Sequence, residues 1–396
     1  MILMKNLALL GSTGSIGTQA LKVVERYSDR LKVVALAARS SMALLAEQIA
    51  RHKPEIVSVQ GPDEASLLSS LIKNVDRKPE ILHGISGLKT VSTFDRVDSV
   101  LNGVVGAAGF IPTLAALRSG KEVLLANKES MVMAGELIRE ILDGGSGRII
   151  PVDSEHSAIY QCLHGNDSKG VRKIILTGSG GPFRLLPMEK FDKISVEQAL
   201  DHPTWKMGPK ITVDSATMMN KGLEIIEAHY LFGLPADKIE VVIHPPSIVH
   251  SFVEFDDGSL LAQLSYPTME VPIQYALLSG ERRPTDVKTL DLAELRTLEF
   301  YEPDRDRFPS LDLARRALNE GGVAPAVLNA SNEEAVGHFL AGRLSFMEIP
   351  GQVKSALDDM KNEPASEEAI TYADSWAREH VGKAVPEGIS TRRNGI

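Results

Sequence analysis

Over the first 150 residues, short apolar runs alternate with stretches of helical periodicity, and this alternation restricts the fold more than any other feature. The runs are Asn6–Leu10, Leu31–Ala37, Ile56–Val59, Val100–Val105, Val123–Leu125 and Arg148–Val152. Between several of them lie amphipathic stretches such as Leu21–Tyr27, Ala43–Ile49, Thr113–Leu117 and Glu136–Leu142. Strand–helix alternation predicts an α/β, Rossmann-like architecture with a doubly wound, mostly parallel sheet. Polar and glycine-rich segments follow the runs at Gly11–Gly17, Ala38–Ser41, Gly106–Gly109, Ala126–Ser130 and Asp153–His156. Open α/β sheets bind ligands outside the carboxyl ends of their strands, so these five segments describe one rim of one cleft.

A chain of 396 residues is long for a single core and predicts two or three domains. We expect a dinucleotide-binding domain over residues 1–150, followed by an α+β catalytic domain over 151–280. The second has strand-like Lys173–Leu176, Glu240–Ile243 and Leu260–Leu264 around a helical Lys221–Phe232. A polar, proline-bearing connection spans 281–308, and from 309 to 396 only helices are signalled. There, Ser331-Asn-Glu-Glu334 reads as a capping box ahead of Ala335–Leu340, with Gly342 as the stop. Another helix starts near Pro350, a third runs from Ser366 to Val381, and a loose tail follows from Pro386.

The net charge of −9 argues against nonspecific nucleic-acid binding, which needs a basic face to release counterions. It leaves room for an anionic substrate, because a few local lysines reverse the field inside one cleft. The single cysteine, Cys162, cannot close an internal disulfide or build a cysteine-rich zinc site. No secretory leader pattern and no apolar stretch of about 20 residues is present, so the expected location is the cytoplasm, without membrane attachment.

Gly11-Ser-Thr-Gly14-Ser-Ile-Gly17 follows the first strand and opens a helix. Such a turn aims backbone N–H groups and a helix N-terminus at a pyrophosphate. The second strand distinguishes the cofactors. An NAD enzyme usually ends it with Asp or Glu to bind the ribose 2′-hydroxyl, whereas a 2′-phosphate wants a cation. Here it ends in Ala38-Arg39-Ser40-Ser41, whose guanidinium fork and hydroxyls suit a phosphate and predict NADPH.

Three further segments concentrate chemistry: Pro151-Val-Asp-Ser-Glu-His156, Thr177-Gly-Ser-Gly-Gly-Pro-Phe183 and Val213-Asp-Ser-Ala-Thr-Met-Met-Asn-Lys-Gly-Leu-Glu224. Asp153 and Glu155 lie two apart just past a strand, and Glu224 sits on a helix. Carboxylate oxygens of this kind hold hard divalent cations such as Mg²⁺ or Mn²⁺. Ser215, Asn220 and Lys221 supply hydroxyl, amide and ammonium donors for a phosphate, and Thr177–Gly181 reads as an anion-binding nest.

These segments, with Ala126-Asn-Lys-Glu-Ser130 and His202-Pro-Thr-Trp-Lys-Met-Gly208, resemble the 1-deoxy-D-xylulose 5-phosphate reductoisomerase family from the N-terminus to about residue 380. The resemblance implies a homodimeric enzyme of non-mevalonate isoprene biosynthesis that converts a small phosphorylated sugar to 2-C-methyl-D-erythritol 4-phosphate. It implies metal ligands at Asp153, Glu155 and Glu224, for Mg²⁺ or Mn²⁺ with Co²⁺ as a further candidate. Its substrate contacts fall on Lys128, Ser154, Glu155, Ser179, His202, Ser215, Asn220, Lys221 and Glu224. Catalysis falls on Lys128 and the three carboxylates. Its NADPH contacts fall on Thr13, Gly14, Ser15, Ile16, Ala38, Arg39, Ser40, Asn127, Glu129 and Gly208. Many members read Gly-Lys-Asn where this chain has Ala38-Arg39-Ser40, and Arg preserves the cation. The chemistry implied is Lewis-acid-assisted cleavage and rejoining of the sugar skeleton, then hydride delivery to the resulting aldehyde. Fragments must not escape between steps, which makes His202–Gly208 the candidate lid.

Two other classes fit parts of the pattern. A semialdehyde or acyl-phosphate reductase shares the N-terminal turn but needs a thiolate nucleophile, a role only Cys162 could fill. A nucleotide-sensing protein without turnover would need neither the carboxylates nor the phosphate donors. Glu227 and His229 read as support or surface, and His244 and His250 as packing.

Overall fold

The computed structural model describes residues 4–385, and the tail from Pro386 lies outside them. The strands are β1 (Lys5–Leu10), β2 (Leu31–Ala37), β3 (Ile56–Val59), β4 (Glu80–His83), β5 (Ser99–Asn102), β6 (Glu122–Leu125), β7 (Arg148–Pro151), β8 (Val171–Gly178), β9 (Ile239–Ile243), β10 (Val249–Phe255) and β11 (Leu260–Leu264). In the first half the helices are α1 (Ser15–Arg26), α2 (Met42–His52), α3 (Pro62–Leu71), α4 (Gly84–Thr93), α5 (Phe110–Arg118), α6 (Lys128–Asp143) and α7 (Ser154–Leu163). They are followed by α8 (Val196–Leu200), α9 (Pro209–Ala216), α10 (Met219–Phe232), α11 (Glu270–Leu277), α12 (Leu292–Leu295), α13 (Ser310–Glu320), α14 (Ala324–Leu340), α15 (Glu348–Asp359) and α16 (Glu367–Ala384).

Backbone contacts divide the chain into two units. The first takes in the chain up to Thr177 with 227–240 and 247–298; the second takes in 178–226, 241–246 and the chain from Glu299 on.

In the first unit, β1 to β7 form a parallel sheet of order β4-β3-β2-β1-β5-β6-β7. Its central strands are apolar on both faces, as a sheet covered by helices requires. Leu7, Leu9, Leu10, Leu36 and Leu101 are fully buried. Each such side chain contributes about 1.5–3 kcal/mol by leaving water. The strand order reverses between β1 and β5, which places the ligand crevice outside their carboxyl ends. Register makes those ends level: Leu10 faces Ala37 and Asn102, and Leu125 faces Pro151.

A second sheet has order β11-β10-β8-β9, with β10 antiparallel to both neighbours; Phe252 pairs with Ile175 and Ala262. Two strands escaped the sequence reading. Edge strand β4 is half exposed and polar at both ends, whereas β10 was missed although Pro245-Pro246 precedes it and Asp256-Asp257-Gly258 follows it.

The second unit carries α13 to α16, packed around a nearly all-buried α14, and an aromatic cluster in which Phe183 meets Phe346 edge-on at 5.1 Å. Here the expected capping box is overturned. The helix begins at Ala324 with Pro325 in its first turn and runs through Ser331. Ser331 Oγ donates back to the Val327 carbonyl at 2.6 Å. A mid-helix serine can bond the i−4 carbonyl in this way, and with the helix already running from Ala324 the Ser-x-x-Glu pattern is not a helix start. Residues 281–308 are not wholly irregular: they include α12 and a bridge from Tyr301 to Ile243.

Candidate active site

The glycine-rich turn of the first unit is built by contacts that only glycine permits. Gly11 has φ +80°, and a Cβ there would lie 2.7 Å from the Gly103 carbonyl at the end of β5. A Cβ on Gly17 would lie 2.4 Å from the Gly11 carbonyl, so the helix could not seat on the turn. Gly14 is different: it caps α1 with no side chain over the first-turn N–H groups, and no acidic residue sits in that turn. Those amides and the positive end of the helix dipole are free to meet an anion, which is what a dinucleotide pyrophosphate requires. Thr13, Ser15 and Ile16 flank it.

Both Gly11 N–H and Ser12 N–H donate to the Ala37 carbonyl at 2.9 Å, which ties the turn to the end of β2. Ala38 is buried and Arg39 and Ser40 are exposed directly beyond. Ala38 is not among the residues with positive φ, so alanine fits there without strain. A guanidinium and a hydroxyl beside the pyrophosphate turn, with no carboxylate at 38–41, are a fit for a ribose 2′-phosphate.

After β6, Asn127 caps α6 by accepting from Ser130 N–H at 2.9 Å, while its amide donates to Val104 O at 2.7 Å and Gly106 O at 3.0 Å. Its side chain is therefore committed to fixing the start of α6, where Lys128 and Glu129 are both buried. Lys128 Nζ lies 2.7 Å from Asp153 Oδ2. Asp153 in turn caps α7, and its Oδ1 accepts from Glu155 N–H at 3.2 Å. Ser154 Oγ donates to Glu155 Oε2 at 2.7 Å.

Behind Asp153 stand His156 and Glu227, the latter read from the sequence as support or surface and here fully buried. His156 Nδ1 is 3.3 Å from Asp153 Oδ1 and 3.3 Å from Glu227 Oε2, and His156 and Glu227 are fully buried. Burial opposes ionisation of Asp153, but the Lys128 ammonium and the His156 ring hold it well below the usual carboxylate range. The signal available for Glu227 was its place one turn beyond Glu224 on α10.

The second unit holds the remaining expected residues. His202 Nε2 lies 3.0 Å from Ser179 Oγ and 3.0 Å from Ser215 Oγ. Thr204 and Trp205 N–H groups donate to its Nδ1 at 3.1 and 2.9 Å. Because Nδ1 accepts, the neutral ring must carry its proton on Nε2 and donate it to a serine hydroxyl. Burial pushes the His202 pKa down, which agrees with a neutral ring.

Gly180 and Gly181 have positive φ, and Gly181 N–H donates to Ser179 Oγ at 3.2 Å. A Cβ on Gly181 would lie 2.8 Å from the Ser215 carbonyl, which is how Ser179 and Ser215 come together. Thr177 is not part of this cradle, since its hydroxyl donates to Val249 O at 2.7 Å. Gly208, the N-cap of α9, has open space where a Cβ would be.

On α10, Asn220 Nδ2 donates to Glu224 Oε1 at 2.6 Å and Lys221 Nζ pairs with Glu224 Oε2. Asp153 and Glu224 thus each have an ammonium partner. Within the first unit, Asp153, His156 and Glu227 bring possible ligand atoms within 4.8 Å of one another, and carboxylate oxygens of the kind singled out in the sequence suit a hard divalent ion. His229 accepts no such role; its Nδ1 meets Leu234 O at 2.7 Å. His244 and His250 are buried against Glu299 O and Ser265 Oγ.

Cys162 is buried and its thiol is pushed up to about 11 by desolvation. It is the opposite of an activated nucleophile, which removes the support for an acyl-phosphate or semialdehyde reductase.

A parallel sheet with its glycine turn at the switch point, and a guanidinium rather than a carboxylate after its second strand, fit the class of NADP-dependent oxidoreductases. The family within that class follows from comparison. Family models described as 1-deoxy-D-xylulose 5-phosphate reductoisomerase match residues 7–135, and models of its C-terminal domains match 149–232 and 264–380. The reductoisomerase of Crocosphaera subtropica is 48% identical over 396 residues, covering 99% of each chain. That of Geobacter metallireducens is 50% identical over 379 residues, or 95% of this chain and 98% of its own. A solved reductoisomerase in complex with NADPH, fosmidomycin and magnesium superposes with a TM-score of 0.91 at 41% identity, covering 96% of this chain and 98% of its own. The Zymomonas mobilis enzyme in complex with NADPH gives 0.90 at 38%, covering 98% and 100%. The chain belongs to the 1-deoxy-D-xylulose 5-phosphate reductoisomerase family.

Proposed function

We propose that this chain converts 1-deoxy-D-xylulose 5-phosphate to 2-C-methyl-D-erythritol 4-phosphate, with NADPH as reductant and Mg²⁺ or Mn²⁺ as the metal. The observation that carries the substrate reading is a single stretch of α10. Asn220 and Lys221 offer phosphate donors, and Glu224 offers a metal ligand, within about one helical turn of 5.4 Å. A small molecule that carries both a phosphate and vicinal oxygens has a group for each of these residue types.

Asp153, Glu155 and Glu224 are the ligands we assign to the metal. A divalent ion there supplies Lewis acidity toward a ketone and its neighbouring hydroxyl, and NADPH supplies hydride. The chain's own groups bind and orient. Ser179, His202, Ser215, Asn220 and Lys221 hold the phosphate, with Ser154 beside the metal ligands. Lys128 keeps Asp153 ionised and oriented, and its ammonium is placed to donate to a substrate oxygen. Thr13, Gly14, Ser15 and Ile16 take the pyrophosphate, Arg39 and Ser40 take the 2′-phosphate, and Ala38, Asn127, Glu129 and Gly208 complete the cofactor contacts.

By function, we assign cofactor binding to residues 1–150 and metal and substrate binding to 151–280. Residues 281–308 form the connection, and the helical region from 309 closes the chain. A cytoplasmic homodimer is the assembly we infer from family precedent. Among the described residues no helix is long and apolar enough to cross a membrane.

The deciding experiment is NADPH oxidation by purified protein with deoxyxylulose phosphate, with and without Mg²⁺ or Mn²⁺, and product identification by NMR. Metal-dependent oxidation yielding methylerythritol phosphate is the expected result. Absence of turnover at any metal concentration overturns the reading.

A further inference from the structure

The run Ser331-Asn-Glu-Glu334, which is not a capping box, lies in the middle of α14, a largely buried helix whose other residues are apolar apart from Asn329 and His338. Each of its polar groups faces a different partner. Ser331 bonds its own helix, and Glu333 Oε2 accepts from Arg378 on α16 at 2.6 Å. Asn332, fully buried, donates from Nδ2 to Asp214 Oδ1 on α9 at 2.8 Å. Asp214 is itself 1% exposed, and its other oxygen lies 2.9 Å from Lys210 Nζ.

Packing alone does not account for Asn332. Its Oδ1 has no hydrogen-bond partner among the described residues. Burying an unpaired amide oxygen costs free energy that a leucine of similar volume would avoid. What the amide gains is a directional hold on Asp214. The next residue is Ser215, whose Oγ meets His202 Nε2, which also meets Ser179 Oγ. Rotation of α9 by a fraction of a turn would carry Ser215 out of that arrangement, and a hydrogen bond resists rotation where apolar contacts slide.

We propose that Asn332 is a positioning residue for substrate phosphate: through Asp214 it fixes the rotation of α9 and so presents Ser215 beside His202 and Ser179. This rests on reading Ser215 as a phosphate contact. The residue acts from behind the cradle and touches no substrate.

The test is Asn332→Leu in the full-length enzyme, with KM and kcat for deoxyxylulose phosphate, NADPH affinity, and hydrogen exchange of the 212–216 amides. Phosphate is held equally in ground and transition states, so a displaced Ser215 should raise KM about tenfold with kcat little changed. A merely structural defect would instead lower kcat with the folded fraction and leave KM alone. Faster exchange at 212–216 with unaltered NADPH affinity completes the expected result. The exchanged pair Asp214→Asn with Asn332→Asp should bring KM back to within about threefold of the parent, while Asp214→Asn alone does not. Unchanged KM and unchanged exchange in Asn332→Leu overturn the proposal. Should that variant not fold, failure of the exchanged pair to recover KM overturns it. If the parent enzyme shows no turnover, the functional reading fails, and the exchange of 212–216 alone decides whether Asn332 holds α9.

Discussion

Lys128 Nζ and Asp153 Oδ2 lie 2.7 Å apart, reaching each other from the carboxyl ends of neighbouring strands β6 and β7. Neither was paired with the other by sequence. Each lies within three residues of the end of its strand, and sheet register brings the two ends level. The ammonium keeps the carboxylate charged in a buried setting, which a cation ligand needs, and leaves it restricted in orientation. An uncompensated carboxylate in that position would tend to take up a proton.

Loss of a single ligand should therefore disable chemistry without disturbing the cofactor. Glu224→Gln or Asp153→Asn should lower kcat at least about a hundredfold, since even an outer partner of a metal ligand is worth ~10–100-fold. NADPH titration followed by fluorescence should give an unchanged dissociation constant, and high Mn²⁺ should recover part of the loss. Parent-like activity of Glu224→Gln at ordinary metal concentrations would remove it from the ligand set.

Cofactor choice should reside in Arg39. Its exposed guanidinium stands beyond β2, beside a turn fixed to that strand by the Ala37 carbonyl. Arg39→Ala removes a charge-assisted bond of ~1.5–3 kcal/mol, so the preference for NADPH over NADH should narrow roughly ten- to hundredfold. Steady-state KM values for both cofactors measure this directly, and equal effects on the two would place Arg39 away from the 2′-phosphate.

Part of the candidate site was legible in the chain because its segments in the first unit follow their strands within a few residues. Gly11–Gly17, Ala38–Ser40 and Asp153–Glu155 needed only the strand ends to be located. What escaped reading required two distant segments at once. Nothing local marks Glu227 as the partner of His156, or Asn332 as the partner of Asp214. The misread capping box has the same origin: the pattern is local, but burial of α14 on all sides decides what it does. Strand β4 was missed for a different reason, since a short edge strand has too few buried positions to show period-two alternation.

Acid should weaken substrate binding through His202. Burial lowers its pKa, so its contribution to the folded state is fully present above about pH 6.5, the ordinary unfolded value. That contribution is lost as pH falls through the lowered folded value, because the charged ring must place a second proton on Nδ1, opposite two backbone N–H donors. The KM for deoxyxylulose phosphate should therefore rise as pH drops below about 6.5. Substrate phosphate titrates in the same range, so His202→Gln is the control: its KM should retain only the phosphate dependence. Identical pH profiles for the two enzymes would exclude the imidazole as the source.

The stretch His202-Pro-Thr-Trp-Lys-Met-Gly208 should close over bound substrate. It is anchored at its start, where Thr204 and Trp205 N–H groups meet His202 and Thr204 Oγ1 donates to Pro245 O at 3.3 Å. It ends at Gly208, where a Cβ would meet nothing. Between these points, no regular structure holds Trp205, which is only partly buried. Trp376, by contrast, stacks on His380 at 4.9 Å within α16. Emission from Trp205 should change when a phosphorylated substrate analogue binds with NADPH, and the change should persist in Trp376→Phe. Exclusion of water and retention of cleaved fragments are what a lid supplies, so Trp205→Ala should lower kcat as well as raise KM. A static tryptophan that only fills space would do neither. Flat emission from the Trp376→Phe protein through saturation, together with an unimpaired Trp205→Ala enzyme, would show that this segment does not close.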